Sequence, residues 1–136
     1  MTDASCPLCQ AANEILLWRD PLLRVIRVDD PQYPAFCRVI LNRHEKEMTD
    51  LAEPERAQLM RTVFAVERAL RELLSPEKIN LASLGNQVPH LHWHVIPRFG
   101  DDMHFPDPVW AAAKRTGHAH AVDTVLLAQR IAELLS

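Results

Sequence analysis

Several absences narrow the reading of this sequence. Basic charge is not in excess: 15 lysines and arginines stand against 18 acids, a net charge of −3 with histidines neutral. A nucleic-acid backbone is therefore not an expected partner. No apolar run approaches the roughly 20 residues that span a bilayer, so no membrane partner is expected. The opening Met1-Thr2-Asp3-Ala4-Ser5 is neither basic nor followed by an apolar core, and no secretory signal is read there. With three cysteines and no such signal, the expected compartment is cytoplasmic, where thiols or metal ligands outnumber disulfides. Internal repeats and low-complexity segments are lacking too. What remains is a chain of 136 residues, 48% hydrophobic and 24% charged, expected to form one domain over 1–136.

What is present is Pro89-His90-Leu91-His92-Trp93-His94-Val95-Ile96-Pro97-Arg98. Three of the seven histidines alternate here with apolar residues, the two-residue period of a strand with one buried face. On such a strand His90, His92 and His94 share a face, about 6.5–7 Å apart, and Leu91, Trp93 and Val95 enter a core. The outer two histidines are then about 13–14 Å apart, too far for all three to ligate one tetrahedral ion. A pair plus a distant ligand leaves a catalytic metal as the weaker reading. The stronger is nucleophilic catalysis on phosphorus, in which a neutral imidazole forms a phosphoramidate and splits one hard displacement into two. His92, with an imidazole on either side, is the natural nucleophile. Rings this close titrate together, which keeps one neutral to attack and another protonated to assist the leaving oxygen. The preceding turn offers the backbone N–H groups of Gly85 and Asn86 and the amides of Asn80, Asn86 and Gln87 to an anion.

The rest of the chain reads as a scaffold. Residues 14–19 and 23–28 form two strands joined at Asp20-Pro21, and 29–34 form a loop. A third strand covers 36–41, with Cys37 a small core residue. Over 54–74 the period changes to that of a helix. Leu59, Val63, Val66, Leu70 and Leu73 line its stripe, and Met60, Phe64 and Leu74 widen it. Glu55, Arg56, Arg61, Glu67, Arg68 and Arg71 form the solvated face of that helix, whose stripe must lie on the sheet. Residues 78–84 give a fourth strand, in a hairpin with the histidine strand. Beyond a core of about 6–99 comes an extension over 100–136: irregular at first, a helical turn over 109–114, and a terminal helix over 122–135. Cys6-Pro7-Leu8-Cys9 can chelate a zinc ion if two further ligands come from elsewhere. On spacing alone, zinc and no role at all stay open. A redox role is disfavoured because no strand precedes Cys6.

His90-Leu91-His92-Trp93-His94-Val95-Ile96 resembles, at every position, the His-φ-His-φ-His-φ-φ motif of the histidine-triad (HIT) family, where φ is apolar. The resemblance runs from Cys6 to about Phe99. It implies an α+β fold, with an antiparallel sheet of about five strands packed against one long helix, to which this chain adds a C-terminal helix. It also implies a homodimer that cleaves nucleotides, purine nucleotides foremost, at the α-phosphate. His92 then looks like the nucleophile that takes the nucleotidyl group. His94 looks like a phosphate contact and leaving-group assistant, and Asn80 and Asn86 resemble phosphate-side amides. Some phosphoramidase-like and uridylyltransferase-like members hold a structural zinc on a C-x-x-C, a histidine after the third strand and the first triad histidine. The matching positions are Cys6, Cys9, His44 and His90. Zinc there would keep His90 neutral and fixed, orienting His92, and catalysis itself would need no cofactor. Where the family places a ribose ligand, this chain offers Asp29. Pro97-Arg98 stands where phosphoramidases tend to have Gly-Gly. That resembles the dinucleoside-polyphosphate hydrolases, with Arg98 a contact for a longer phosphate chain or else a surface cation. The implied activity is a nucleotidyl hydrolase of the diadenosine-tetraphosphate type, working through a covalent nucleotidyl-histidine. A nucleoside phosphoramidase is the enzymatic alternative. A nucleotide-binding regulatory protein with incidental turnover is the other.

Overall fold

A computed structural model describes residues 2–136. The alternating segments form five antiparallel strands: β1 (Ile15–Arg19), β2 (Leu23–Arg27), β3 (Cys37–Leu41), β4 (Lys78–Ala82) and β5 (His92–Arg98). Their spatial order is β1-β2-β3-β5-β4. The Asp20-Pro21 turn is held by the Asp20 carboxylate, which accepts from the N–H groups of Leu22 and Leu23 at 2.8 and 2.7 Å. Alternation sends Leu23, Val25, Cys37, Val39, Leu41 and Val95 to one face, where each is fully buried. Burial pushes the Cys37 thiol up to about 12, so it packs as a neutral apolar group.

That face is covered by α2 (Glu53–Leu74), which has Pro54 in its first turn and ends at Ser75 in the left-handed conformation before Pro76. Its buried stripe is shifted from the expected one. Leu59, Val63, Val66 and Leu70 are buried, but so are Thr62, Ala65 and Ala69, small side chains that permit close packing. Phe64, about 100° round the axis from Val63, is 53% exposed, and Leu73 is 37% exposed. The helix α3 (Thr124–Leu135), capped by Asp123, adds Leu127 and Ile131 to the same core and packs on α2 and β1.

The opposite face carries Ile26 on β2, Arg38 and Ile40 on β3, Asn80 and Ala82 on β4, and His92, His94, Ile96 and Arg98 on β5. A four-residue helix, α1 (Pro7–Gln10), covers part of it, with Cys6 and Leu8 packed on Ile26 and Ile40. Residues 109–114 contain turns and bends rather than the expected helical turn.

Two expectations about the histidine stretch are corrected. The strand begins at His92, so His90 lies outside it. Its partner β4 has already ended at Ala82, His90 N–H closes on Val88 O at 2.8 Å, and Leu91 N–H turns to Glu45 O at 2.8 Å. Arg98 is neither a surface cation nor free to meet a phosphate chain. It is 2% exposed, donates from Nε and Nη2 to Asp102 at 2.8 and 3.0 Å, and gives Nη1 to Asn80 Oδ1 at 2.8 Å. Asp102 also accepts from the N–H groups of Phe99, His104 and Phe105, and from the Tyr33 hydroxyl. Burial alone would raise its carboxyl. The Arg98 guanidinium and the backbone donors outweigh that and hold it well below the usual carboxylate range.

This knot fastens the extension to the sheet. Asp102→Ala strands a buried guanidinium and is expected to cost about 3–5 kcal/mol, lowering Tm by on the order of 10 °C. Thermal melts, with limited proteolysis reporting release of the segment after residue 100, check this; an unchanged melt contradicts it.

Candidate active site and metal centre

Pro7 in the first turn of α1 and Ala11 in the left-handed conformation after it confine the helix to one turn. Cys6 and Cys9, three apart, thereby present their sulfurs together. His44, just beyond β3, and His90, just before β5, meet them. Cys6 Sγ lies 3.3 Å from His90 Nδ1; Cys9 Sγ lies 3.3 Å from His44 Nδ1 and 3.4 Å from His90 Nδ1. The four donor atoms all fall within 4.8 Å of one another. A tetrahedral ion with metal–sulfur bonds of about 2.3 Å and metal–nitrogen bonds of about 2.0 Å sets S···N near 3.5 Å, so the spacing suits one. The His90 tautomer suits it as well. Its Nε2–H donates to Leu41 O at 2.6 Å, which leaves the Nδ1 lone pair facing the two thiols. All four residues expected from the sequence as a metal set are brought together.

The same residue reaches into the next part of the site. His90 O accepts from His92 Nδ1–H at 2.6 Å. A carbonyl can only accept, so the lone pair of neutral His92 is on Nε2. His94 stands edge-on to it, ring centroids 5.0 Å apart, and is packed edge-on by Phe36 at 5.4 Å and Trp110 at 5.1 Å. Burial holds both imidazoles below their ordinary value, with the nearby Arg38 charge adding to the effect; for His94 burial and the His92 ring bring it to about 4. Both rings are neutral at neutral pH.

His92 and His94 open onto a cleft of about 410 Å³ whose other walls include Arg38, Leu84, Asn86, Gln87 and Trp110. Gly85 takes φ +76° in the turn that brings Asn86 and Gln87 there, a conformation that favours glycine. A wider groove of about 740 Å³ runs along α2 beside Phe64 and Pro76, but no histidine lines it. Asn80 lines a neighbouring groove, its Oδ1 taken by Arg98, and Asp29 is an exposed loop residue outside the cleft. Three members of the site are not assigned to it by the sequence. Phe36 and Trp110 had no signal in their spacing. Arg38 had one: it is a lone cation inside the apolar run Phe36-Cys37-Arg38-Val39-Ile40-Leu41.

The HIT domain model matches residues 10–101, most of the chain. The chain belongs to the HIT family. A histidine triad protein from Bradyrhizobium japonicum is 35% identical and superposes with a TM-score of 0.69, over 90% of this chain and 88% of that one. An AP-4-A phosphorylase of Mycobacterium tuberculosis is 31% identical over 81 residues, 55% of this chain and 42% of the relative. A bifunctional bis(5'-adenosyl)-triphosphatase/adenylylsulfatase FHIT of Arabidopsis thaliana is 31% identical over 87 residues, 60% of this chain and 48% of the relative. The chain thus spans less than half the length of these two relatives. Among the described residues, no helix is long and apolar enough to cross a membrane.

Two outcomes are expected. The protein purified without chelator carries about one metal ion per chain by elemental analysis, and a Cys6→Ser, Cys9→Ser double variant carries none; a metal-free wild type contradicts the site. Between the ordinary histidine value of 6.5 and about 4, the unfolded chain takes up a proton that folded His94 refuses. Stability is therefore retained above that window and falls as pH drops through it, by up to a few kcal/mol. His94→Gln removes this contribution, so its melting temperature is expected to fall less steeply with acid than that of wild type.

Proposed function

We propose that this chain is a nucleotidyl hydrolase acting on dinucleoside polyphosphates. The observation that carries the reading is His92: a buried, neutral imidazole whose Nδ1–H is held by a carbonyl, on a cleft large enough for a nucleotide. A ring so fixed offers Nε2 as a nucleophile without waiting for deprotonation. Attack forms an Nε2–phosphorus bond at the α-phosphate as the bond to the bridging oxygen breaks. That oxygen leaves with the remaining phosphate chain, attended by His94. Water then attacks the same phosphorus, breaks the nitrogen–phosphorus bond, returns the imidazole and releases a nucleoside monophosphate. The turn carrying Asn86 and Gln87 supplies neutral donors for the charge that builds on the non-bridging oxygens.

The names of the M. tuberculosis relative, an AP-4-A phosphorylase, and of the A. thaliana relative, a bis(5'-adenosyl)-triphosphatase as well as an adenylylsulfatase, favour this substrate class over phosphoramidates. Zinc is the ion proposed for Cys6, Cys9, His44 and His90, because two thiolates and two imidazoles suit it best. Its place is structural: it would hold the His90 ring, and the His90 carbonyl holds His92. A homodimer in the cytoplasm is the proposed working form. The edge strand β4 is the surface proposed for a second copy.

Turnover of diadenosine tetraphosphate and of an adenosine phosphoramidate, measured side by side, tests the reading. The tetraphosphate is expected to be the better substrate, and His92→Ala to lower kcat by on the order of 10⁴-fold. Undiminished activity in that variant would remove His92 as nucleophile. Tight nucleotide binding with negligible turnover of both compounds would favour a binding protein instead.

A further inference from the structure

Arg38 has no part in the reaction as described, yet its placement is specific. It projects from β3 on the same face as His92 and His94, and its Cα is paired with that of His94 in the ladder. It is the only lysine or arginine among the residues lining the cleft. Two other arginines of that face are occupied. Arg24 is bound to Glu14 at 2.7 and 2.8 Å, and Arg98 is bound to Asp102. Arg38 Nε is buried with no hydrogen-bond partner, and so is His94 Nδ1 across from it. Glu14, the carboxylate whose charge Arg38 feels, is already engaged by Arg24. The Phe36 ring supports the guanidinium, with Cζ 5.8 Å from the ring centroid, which steadies its plane without using an N–H.

A half-buried guanidinium with an unmet donor, beside two neutral imidazoles, is an anion site waiting for its acceptor. We propose that Arg38 binds the phosphate chain beyond the reacting phosphorus, and so selects nucleotides whose α-phosphate carries further phosphates over those with an uncharged leaving group. This deepens the hydrolase reading and rests on its assignment of His92 and His94. Asn86 and Gln87 belong to the connection from β4, whereas Arg38 stands on β3, on the opposite side of β5, and is paired with His94, the residue attending the leaving oxygen. The group that departs past His94 therefore meets the guanidinium. Its planar fork matches two phosphate oxygens at once, which an ammonium cannot do. The phosphate-chain role that the sequence suggests for Arg98 falls instead to Arg38, because Arg98 is spent on Asp102.

The test uses the protein as purified, with Arg38→Met, which keeps an unbranched apolar stem, and Arg38→Lys, which keeps the charge but not the fork. Calorimetric titration with inorganic tripolyphosphate is expected to show Kd raised by about tenfold to a hundredfold in Arg38→Met, with Arg38→Lys in between. In the same variant kcat/KM for diadenosine tetraphosphate should fall by a similar factor, while that for adenosine phosphoramidate changes by less than about threefold. Tripolyphosphate bound as tightly by Arg38→Met as by wild type overturns the proposal, as does an equal loss on both substrates. Failure of the hydrolase reading looks different: wild type then turns over neither compound, and tripolyphosphate binding still decides the role of Arg38.

Discussion

The fold and the site meet at the hydrogen-bonding pattern of one residue, His90. Its Nε2–H is tied to the carbonyl of Leu41 at the end of β3, its Nδ1 faces two cysteines, and its own carbonyl receives the Nδ1–H of His92. Each bond fixes what the next can be. The Leu41 carbonyl sets the His90 tautomer, which provides a lone pair for a metal; the His90 carbonyl sets the His92 tautomer, which provides one for the cleft. Moving His90 by an ångström would disturb both at once. The short helix α1 and the loop bearing His44 are thus mechanically part of the His92 site, although neither carries the chemistry proposed there.

The sheet explains why such precision is available. One face is filled by α2 and α3 with close-packed aliphatic side chains, leaving β3 and β5 little freedom to shift. On the other face, packing by α1 at one end and by the Tyr33, Asp102 and Arg98 network at the other leaves an opening between them at His92 and His94. Buried charges of this kind add little net stability by themselves, since desolvation offsets most of their attraction. Their value here is positional: they bring the segment with Trp110 back over His94.

The parts legible in the sequence were those governed by short-range periodicity. Alternation gave the five strands, three-and-four spacing gave α2 and α3, and the C-x-x-C with His44 and His90 named the metal cluster through the family likeness. What escaped depended on partners distant in the chain. Arg98 reads as a cation beside the triad, yet Asp102 neutralises it; Asn80 reads as a phosphate amide, yet its oxygen serves Arg98. His90 reads as the first residue of a strand because alternation continues through it. The strand stops short because its pairing with β3 ends at Ile40 opposite His92, two residues past the last pair with β4, a fact of pairing rather than of composition. Phe64 reads as core because a helical stripe seen in sequence has no edge, whereas the surface beneath it does.

Electrostatic balance is the remaining step. A site proposed to receive several negative charges would by simple attraction be strongly basic, but this one holds a single guanidinium among neutral imidazoles and amides. Neutral rings are a requirement of the proposed chemistry, since a protonated His92 has no lone pair to give. Every further cation in the cleft would depress the histidines more, and every carboxylate would raise them and repel substrate. Burial, with the Arg38 charge adding to it, achieves neutrality without either, and the two imidazoles stand among Phe36, Trp110 and Leu8 rather than in a ring of charge. The anion then arrives in a low-dielectric cleft, where a few well-aimed donors count for more than a basic surface would in water. The net charge of −3 and the proposed phosphate-binding site are therefore compatible: recognition would be concentrated at one cleft rather than spread over the molecule.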